Sequence, residues 1–199
     1  MFKPNNFENI QTGDFNPPSL GGHHMIIRKL TEGKSRTGKD MLIVAVDFAQ
    51  NDSQPGYFGN LYNSDVRPDK KWPNAGVIYV VSLDDNGQCS RNFKTFITSF
   101  EESNGCQVAW GNGAAFCEQF RGKKIGGVWG RVEEEYNGER KLRTRLRWFC
   151  SDARADNAKV PADKLLPAST QPATAVPAIP QIDQASGMPK VTLDDQPWF

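Results

Sequence analysis

The sequence predicts a mainly β fold: a small five-stranded barrel with one or two helices, followed by a tail that does not pack. Three observations carry this expectation. Between His24 and Cys150, β-branched and aromatic runs of strand length recur between turn residues. The clearest helical period, Phe93, Phe96, Ile97 and Phe100, falls between the third and fourth of those runs. After Lys164 the composition turns to Pro, Ala, Thr, Gln and Ser, which offer little surface to bury.

A chain of 199 residues holds one ordinary domain with room for a tail. Hydrophobic residues are 38% of it, low for a chain packed throughout, whereas the 11% of aromatics implies a ring-rich folded part. Residues 1–160 carry 22 Lys/Arg against 19 Asp/Glu, and the remainder two Lys against four Asp. A mildly basic body with an acidic end fits a polyanion-binding domain that carries a separate interaction segment. No apolar run follows Lys3, and no stretch of eighteen apolar residues occurs, so a cytoplasmic location in a bacterial host cell is expected. Cys89, Cys106, Cys117 and Cys150 are far apart and form no Cys-x-x-Cys. They read as reduced, mostly buried thiols, and their spacing with His23-His24 suits no closed metal site. Neither metal nor cofactor is therefore expected.

Residues 1–20 read as an extended lead-in, with Pro17-Pro18 and Gly21-Gly22 near its end. His24–Leu30 and Met41–Phe48 are strands joined by the polar Thr31–Asp40 stretch as a hairpin. Gln50 to Asn74 reads as a long polar-aromatic loop containing Tyr57, Phe58, Tyr62 and Trp72. Gly76–Leu83 is a third strand, ended by Asp84-Asp85-Asn86-Gly87. A helix follows, with Ser90 as N-cap and Asn104-Gly105 as its stop. A shorter helix is marked by Phe116, Cys117 and Phe120, capped by Asn112 and stopped by Gly122. Strands Lys124–Glu135 and Glu139–Cys150 then meet at Tyr136-Asn137-Gly138. Strand, strand, strand, helix, strand, strand is the order of a five-stranded OB-fold-like barrel. The expected divisions are an OB-like domain over 21–165, a disordered Pro/Ala-rich linker over 166–190 and an acidic-aromatic tip over 191–199.

Parity decides how the last hairpin should present its faces. A two-residue Asn-Gly turn sets Val132 opposite Arg143 and mixes apolar with charged positions. A three-residue loop, with Gly138 in a G1 bulge, instead pairs Val132 with Leu142 and Trp129 with Arg145. That register places Leu142, Leu146 and Trp148 in the core. Trp129, Arg131, Lys141, Arg143, Arg145, Arg147 and Phe149 then form the solvent face. Guanidinium groups suit phosphates, and a ring suits base stacking, worth roughly 1–3 kcal/mol per base. The plainer reading is a solvated strand whose charges match Glu133 and Glu135. Lys70, Lys71 and Trp72, with Lys123 and Lys124, complete the residues expected at single-stranded nucleic acid.

Asp194-Asp195-Gln196-Pro197-Trp198-Phe199 places an acidic pair before an apolar pair on a tail with nothing to pack against. A partner with an apolar pocket and a basic rim would engage Asp194, Asp195, Pro197, Trp198 and Phe199. This segment resembles the acidic tip of bacterial single-stranded DNA-binding proteins, although Trp198 replaces their usual small aliphatic residue. The resemblance implies recruitment of replication and repair proteins. Asp69–Pro73, Phe93–Asn104 and Gly122–Val128 resemble phage and mobile-element proteins of replication modules, over most of residues 20–165. That resemblance implies single-stranded DNA binding in phage or mobile-element replication and recombination.

An enzyme is not expected. Gly33–Asp40 fits G-x-x-x-x-G-K but lacks the Ser or Thr that would hold magnesium, and it leads into a strand rather than a helix. Asp47, Glu101, Glu133 and Glu134 show no spacing that brings them to one metal pair, and His23 and His24 have no recognisable nucleophile partner. A nuclease of a phage recombination module, or a protein-interaction adaptor that binds no nucleic acid, is the alternative.

Overall fold

The spine of the molecule is β1 (Gly21–Lys34), in which buried Gly21, His23, Met25 and Ile27 alternate with more exposed residues. The computed structural model describes residues 16–167, so most of the lead-in and linker, and the whole tip, lie outside the described residues. β2 (Asp40–Phe48) returns beside β1 through the Ser35–Lys39 turn, and β3 (Val77–Val81) lies beyond β2. On the other side of β1 run β4 (Lys124–Tyr136) and then β5 (Glu139–Cys150). The sheet is antiparallel throughout, in the order β3-β2-β1-β4-β5. This is the strand order of an OB-type barrel, without the closing pair between β3 and β5 among the described residues.

Three helices complete the domain. α1 (Tyr57–Ser64) occupies part of the stretch expected to be a loop. Its first turn is held by buried Asp47, whose Oδ1 accepts the backbone N–H groups of Phe58 (2.9 Å) and Gly59 (3.2 Å). That anchor is distant in sequence, so local periodicity does not reveal it. α2 (Arg91–Asn104) matches the expectation: the Ser90 hydroxyl accepts the Phe93 N–H at 3.1 Å, and Gly105 ends it. It packs against β3 at one edge of the sheet and against β4 and β5 at the other. α3 (Gly113–Glu118) is shorter than expected, and Asn112 precedes it without a side-chain cap.

The core joins two aromatic groups. Phe48, Phe58, Trp129 and His23 meet at one end, with Phe58 and Trp129 ring centroids 5.5 Å apart. Phe96, Phe100, Phe120 and Phe149 fill the space beneath α2. Each fully buried large apolar side chain contributes about 1.5–3 kcal/mol.

The β4–β5 register corrects the expected one. Tyr136 pairs with Glu139 around a two-residue turn, in which Asn137 (φ 52°) and Gly138 (φ 78°) are both left-handed, the type I′ geometry. Val132 therefore does pair with Arg143. The two-residue register runs unbroken to Trp129, which pairs with Leu146, and a bulge at Arg147 then shifts β5 so that Val128 pairs with Trp148 and Gly127 with Phe149. Trp129 and Phe149 consequently point into the core, and Trp148 points outward, 43% exposed. The outer hairpin extends past the part of β4 that pairs with β1, where neither face is fully buried, so mixing Val132 with Arg143 costs little there.

The cysteines are less buried than expected: Cys89 and Cys106 are exposed and Cys117 and Cys150 half-buried, and all four are free. Burial pushes the Cys150 thiol up to about 11. No helix among the described residues is long and apolar enough to cross a membrane.

After β5 the chain is clamped back onto the sheet. The His24 ring bonds Asp152 (2.7 Å) and Asp156 (3.0 Å). Gly22 lies so close to this segment that a Cβ there would sit 1.9 Å from the Ala155 carbonyl oxygen. Beyond the end of β1, Lys164 takes up the free edge of β4: its N–H donates to Arg131 (3.0 Å) and its carbonyl accepts from Glu133 (2.8 Å).

Candidate nucleic-acid interface

Pairing of β1, β2 and β3 sets alternate residues on the side of the sheet away from the core. Thr31, Ile43 and Tyr79 form one row across the three strands, flanked by a Gly33–Met41–Val81 row and a Lys29–Ala45–Val77 row. Ile43, Met41, Val77 and Val81 are half-buried, and the Tyr79 ring stands 62% exposed among them. Lys29 shares this face, and Lys34, Arg36 and Lys39 gather at the β1–β2 turn beside it. Lys34 pairs with Asp40 (2.6 Å) and Lys39 with Asp85 (2.5 Å), both on the surface, where such pairs contribute little and open readily. Trp110, also well exposed, lines a hollow of about 540 Å³ with Lys34, Met41 and Ser82 at the same end. An apolar platform bearing a free ring and rimmed by cations can stack bases and hold phosphates.

The expected β5 face is only partly assembled. Lys141, Arg143 and Arg145 do share the outer side, but Arg143 and Arg145 converge on one carboxylate. Arg145 binds Glu134 through two hydrogen bonds of 2.7 and 2.9 Å, and the Arg143 Nε lies 3.5 Å from it. Lys141 pairs with Glu139, and Arg140 with Glu135. Arg147, at the bulge, donates to the Ala162 carbonyl at 2.9 Å and so serves the C-terminal clamp. Arg131 lies on the opposite side of β4, lining a hollow of about 590 Å³ with Pro17, Tyr57 and Leu142. Trp129 and Phe149 are core residues and cannot reach a ligand on this surface. The plainer reading of the hairpin, a solvated strand with matched charges, thus accounts for much of what was expected to be binding surface.

The loop cluster lies elsewhere. Trp72 is half-buried, donates its indole N–H to the Val46 carbonyl (3.1 Å) and packs on Tyr62, over whose ring Lys70 Nζ sits at 4.7 Å. Lys71, Lys123 and Lys124 are exposed. Sequence reasoning missed Tyr79, Lys29 and Trp110. For Tyr79 the signal was present: it alternates with Ile78 and Val80 in a strand of period two, so it must face away from them. Trp110 sits between two helices in a segment without periodicity, where no such signal exists.

Both histidines are held by hydrogen bonds to side chains distant in sequence or just before β1. His23 is stacked on Phe48 at 4.1 Å, with Asp52 Oδ1 2.9 Å from Nδ1 and the Ser19 hydroxyl 3.0 Å from Nε2. The Ser19 carbonyl also lies 3.1 Å from Nε2, and Asp52 accepts the backbone N–H groups of His24 and Gln54. The arrangement pins the residues before β1 to the loop after β2. Burial works against the Asp52 charge, but the His23 ring and those N–H groups hold its carboxyl below the ordinary range. Burial likewise lowers His24, yet Asp152 and Asp156 outweigh it and hold the imidazole above its usual value. Among the described residues no group of three or more His, Cys, Asp or Glu is placed to hold a metal ion.

No protein-family model matches this chain, and no curated protein matches it.

Proposed function

We propose that this chain is a single-stranded nucleic-acid-binding protein of the OB class. More specifically, it binds single-stranded DNA without sequence preference during phage or mobile-element replication and recombination. The observation that carries this reading is the outer face of β1–β2–β3, where exposed Tyr79 rises from an apolar platform beside Lys29 and the Lys34–Lys39 turn. Support also comes from the strand order and from the resemblance of the tip to that of bacterial single-stranded DNA-binding proteins. Under this reading Asp194, Asp195, Pro197, Trp198 and Phe199 recruit replication or repair proteins while the barrel holds DNA.

Fluorescence titration with poly-dT and with duplex DNA at two salt concentrations tests it. Tighter binding to the single strand is expected, with affinity falling as salt rises by about −0.7 in log–log slope per phosphate contact. Binding that ignores salt, or that favours duplex, removes the reading. The internal pairing of Arg143 and Arg145 with Glu134 favours the plainer reading of the hairpin as a solvated strand; the adaptor alternative for the whole chain predicts no oligonucleotide binding at all.

A further inference from the structure

On the flank of the barrel, α2, the end of β5 and the segment after it enclose a groove of about 770 Å³. Trp148 lines it, brought to the surface by the bulge at Arg147 and 43% exposed. Lys94 from α2 and Lys159 from the clamped segment line it too, and neither has an acidic partner among the described residues. Arg154 adds a third cation and Glu102 one acid, which lie 3.5 Å apart, so the groove keeps an excess of positive charge. The hydroxyl-bearing Thr95 and Thr98 complete the α2 wall. The two acids next in sequence, Asp152 and Asp156, are engaged by His24.

We propose that this groove is a second single-strand contact, in which one base stacks on Trp148 while its flanking phosphates meet Lys94 and Lys159. The proposal rests on the single-strand reading of the barrel and extends it to a surface that shares no residue with the Tyr79 platform. An exposed indole in one groove with two ammonium groups that have no acidic partner among the described residues complements a stacked base and its phosphates. An acidic peptide would use the cations but leave the flat ring without a matching partner.

The test uses the full chain with oligo-dT in which one thymine is replaced by 5-iodouracil. Irradiation should cross-link the wild type at Trp148. Trp148→Ala, which leaves the charge untouched, should weaken oligo-dT binding about 5- to 150-fold, whereas Trp148→Phe should retain most of it. Lys94→Glu combined with Lys159→Glu should flatten the log–log salt slope by about 1.4, at about 0.7 for each of two lost contacts. If these variants melt like the wild type and bind DNA equally well, the groove is not a DNA contact, whatever protein they cease to bind. In that case a loss of binding in Tyr79→Ala leaves the single-strand reading standing. A wild type that binds no single strand overturns both.

Discussion

Tyr79 and Trp129 illustrate how differently two aromatic residues of one sheet should respond to removal. The Tyr79 ring is solvent-facing on an edge strand, so Tyr79→Ala should leave the melting temperature nearly unchanged. Its affinity for oligo-dT, read by fluorescence anisotropy, should fall by about 1–3 kcal/mol, the worth of one stacking platform. Trp129 is enclosed by His23, Phe48 and Phe58, and Trp129→Ala should cost about 3–5 kcal/mol of stability in chemical denaturation. Among the described residues, its buried indole N–H has no hydrogen-bond partner. A stable, well-folded Trp129→Ala protein with weakened DNA binding would restore the face assignment made from parity alone. That assignment failed on two counts: the turn has two residues rather than three, and β5 does not keep unbroken period-two alternation. The two-residue turn sets Trp129 opposite Leu146 and into the core, while one bulged residue, Arg147, turns Trp148 out and Phe149 in; nothing local marks that bulge, because Arg-Leu-Arg-Trp-Phe reads as regular alternation up to Trp148.

At the level of elements, the hairpin and the histidine clamp each make a prediction. Glu134 receives both Arg143 and Arg145, so Glu134→Gln should release two guanidinium groups on the outer face of β5. If these reach DNA, oligo-dT binding at low salt becomes tighter and its salt slope steeper. An unchanged slope would assign the hairpin arginines to solvation. The clamp depends on a charged His24, whose folded pKa lies above its ordinary value of 6.5. A raised pKa means that the clamp's stabilisation is complete below about pH 6.5 and is lost as the pH climbs through the folded value. Thermal melts from pH 6 to pH 8 should show a decline in stability that His24→Gln abolishes; identical slopes in the two proteins would remove His24 from the explanation. Elements whose cause is local were legible in the sequence, as α2 is with its Ser90 cap and apolar face. Those whose cause is distant were not: α1 begins where Asp47, on a neighbouring strand, supplies acceptors for its first turn.

Over the whole chain, the body and the C-terminal segment are expected to divide the work between DNA and partner proteins. The strand order was readable because five runs of strand length are punctuated by turns. The proposed binding platform was not, because it is made by the lateral pairing of three strands and has no signature within any one of them. Deleting residues 191–199 should leave oligo-dT affinity equal, or slightly tighter at low salt where an acidic tip competes with DNA, while pull-down of replication or repair proteins is lost. Loss of DNA binding in the truncated protein would make the tip part of the binding domain.

The edge pairing of Lys164 has a mechanical consequence. If, as proposed, DNA were held by the β-domain and a partner by residues 191–199, any pull between them would pass along residues 162–166. There it meets the two backbone bonds of Lys164 to Arg131 and Glu133, the Arg147 bond to Ala162, and the Glu133 carboxylate bond to the Leu166 N–H. These few bonds lie outside the strands that form the core, so they can yield and re-form while β1, β2 and β4 stay paired. Under the proposed function this edge pairing would act as a tether lock, taking up tension from a partner before it reached the DNA-binding surface.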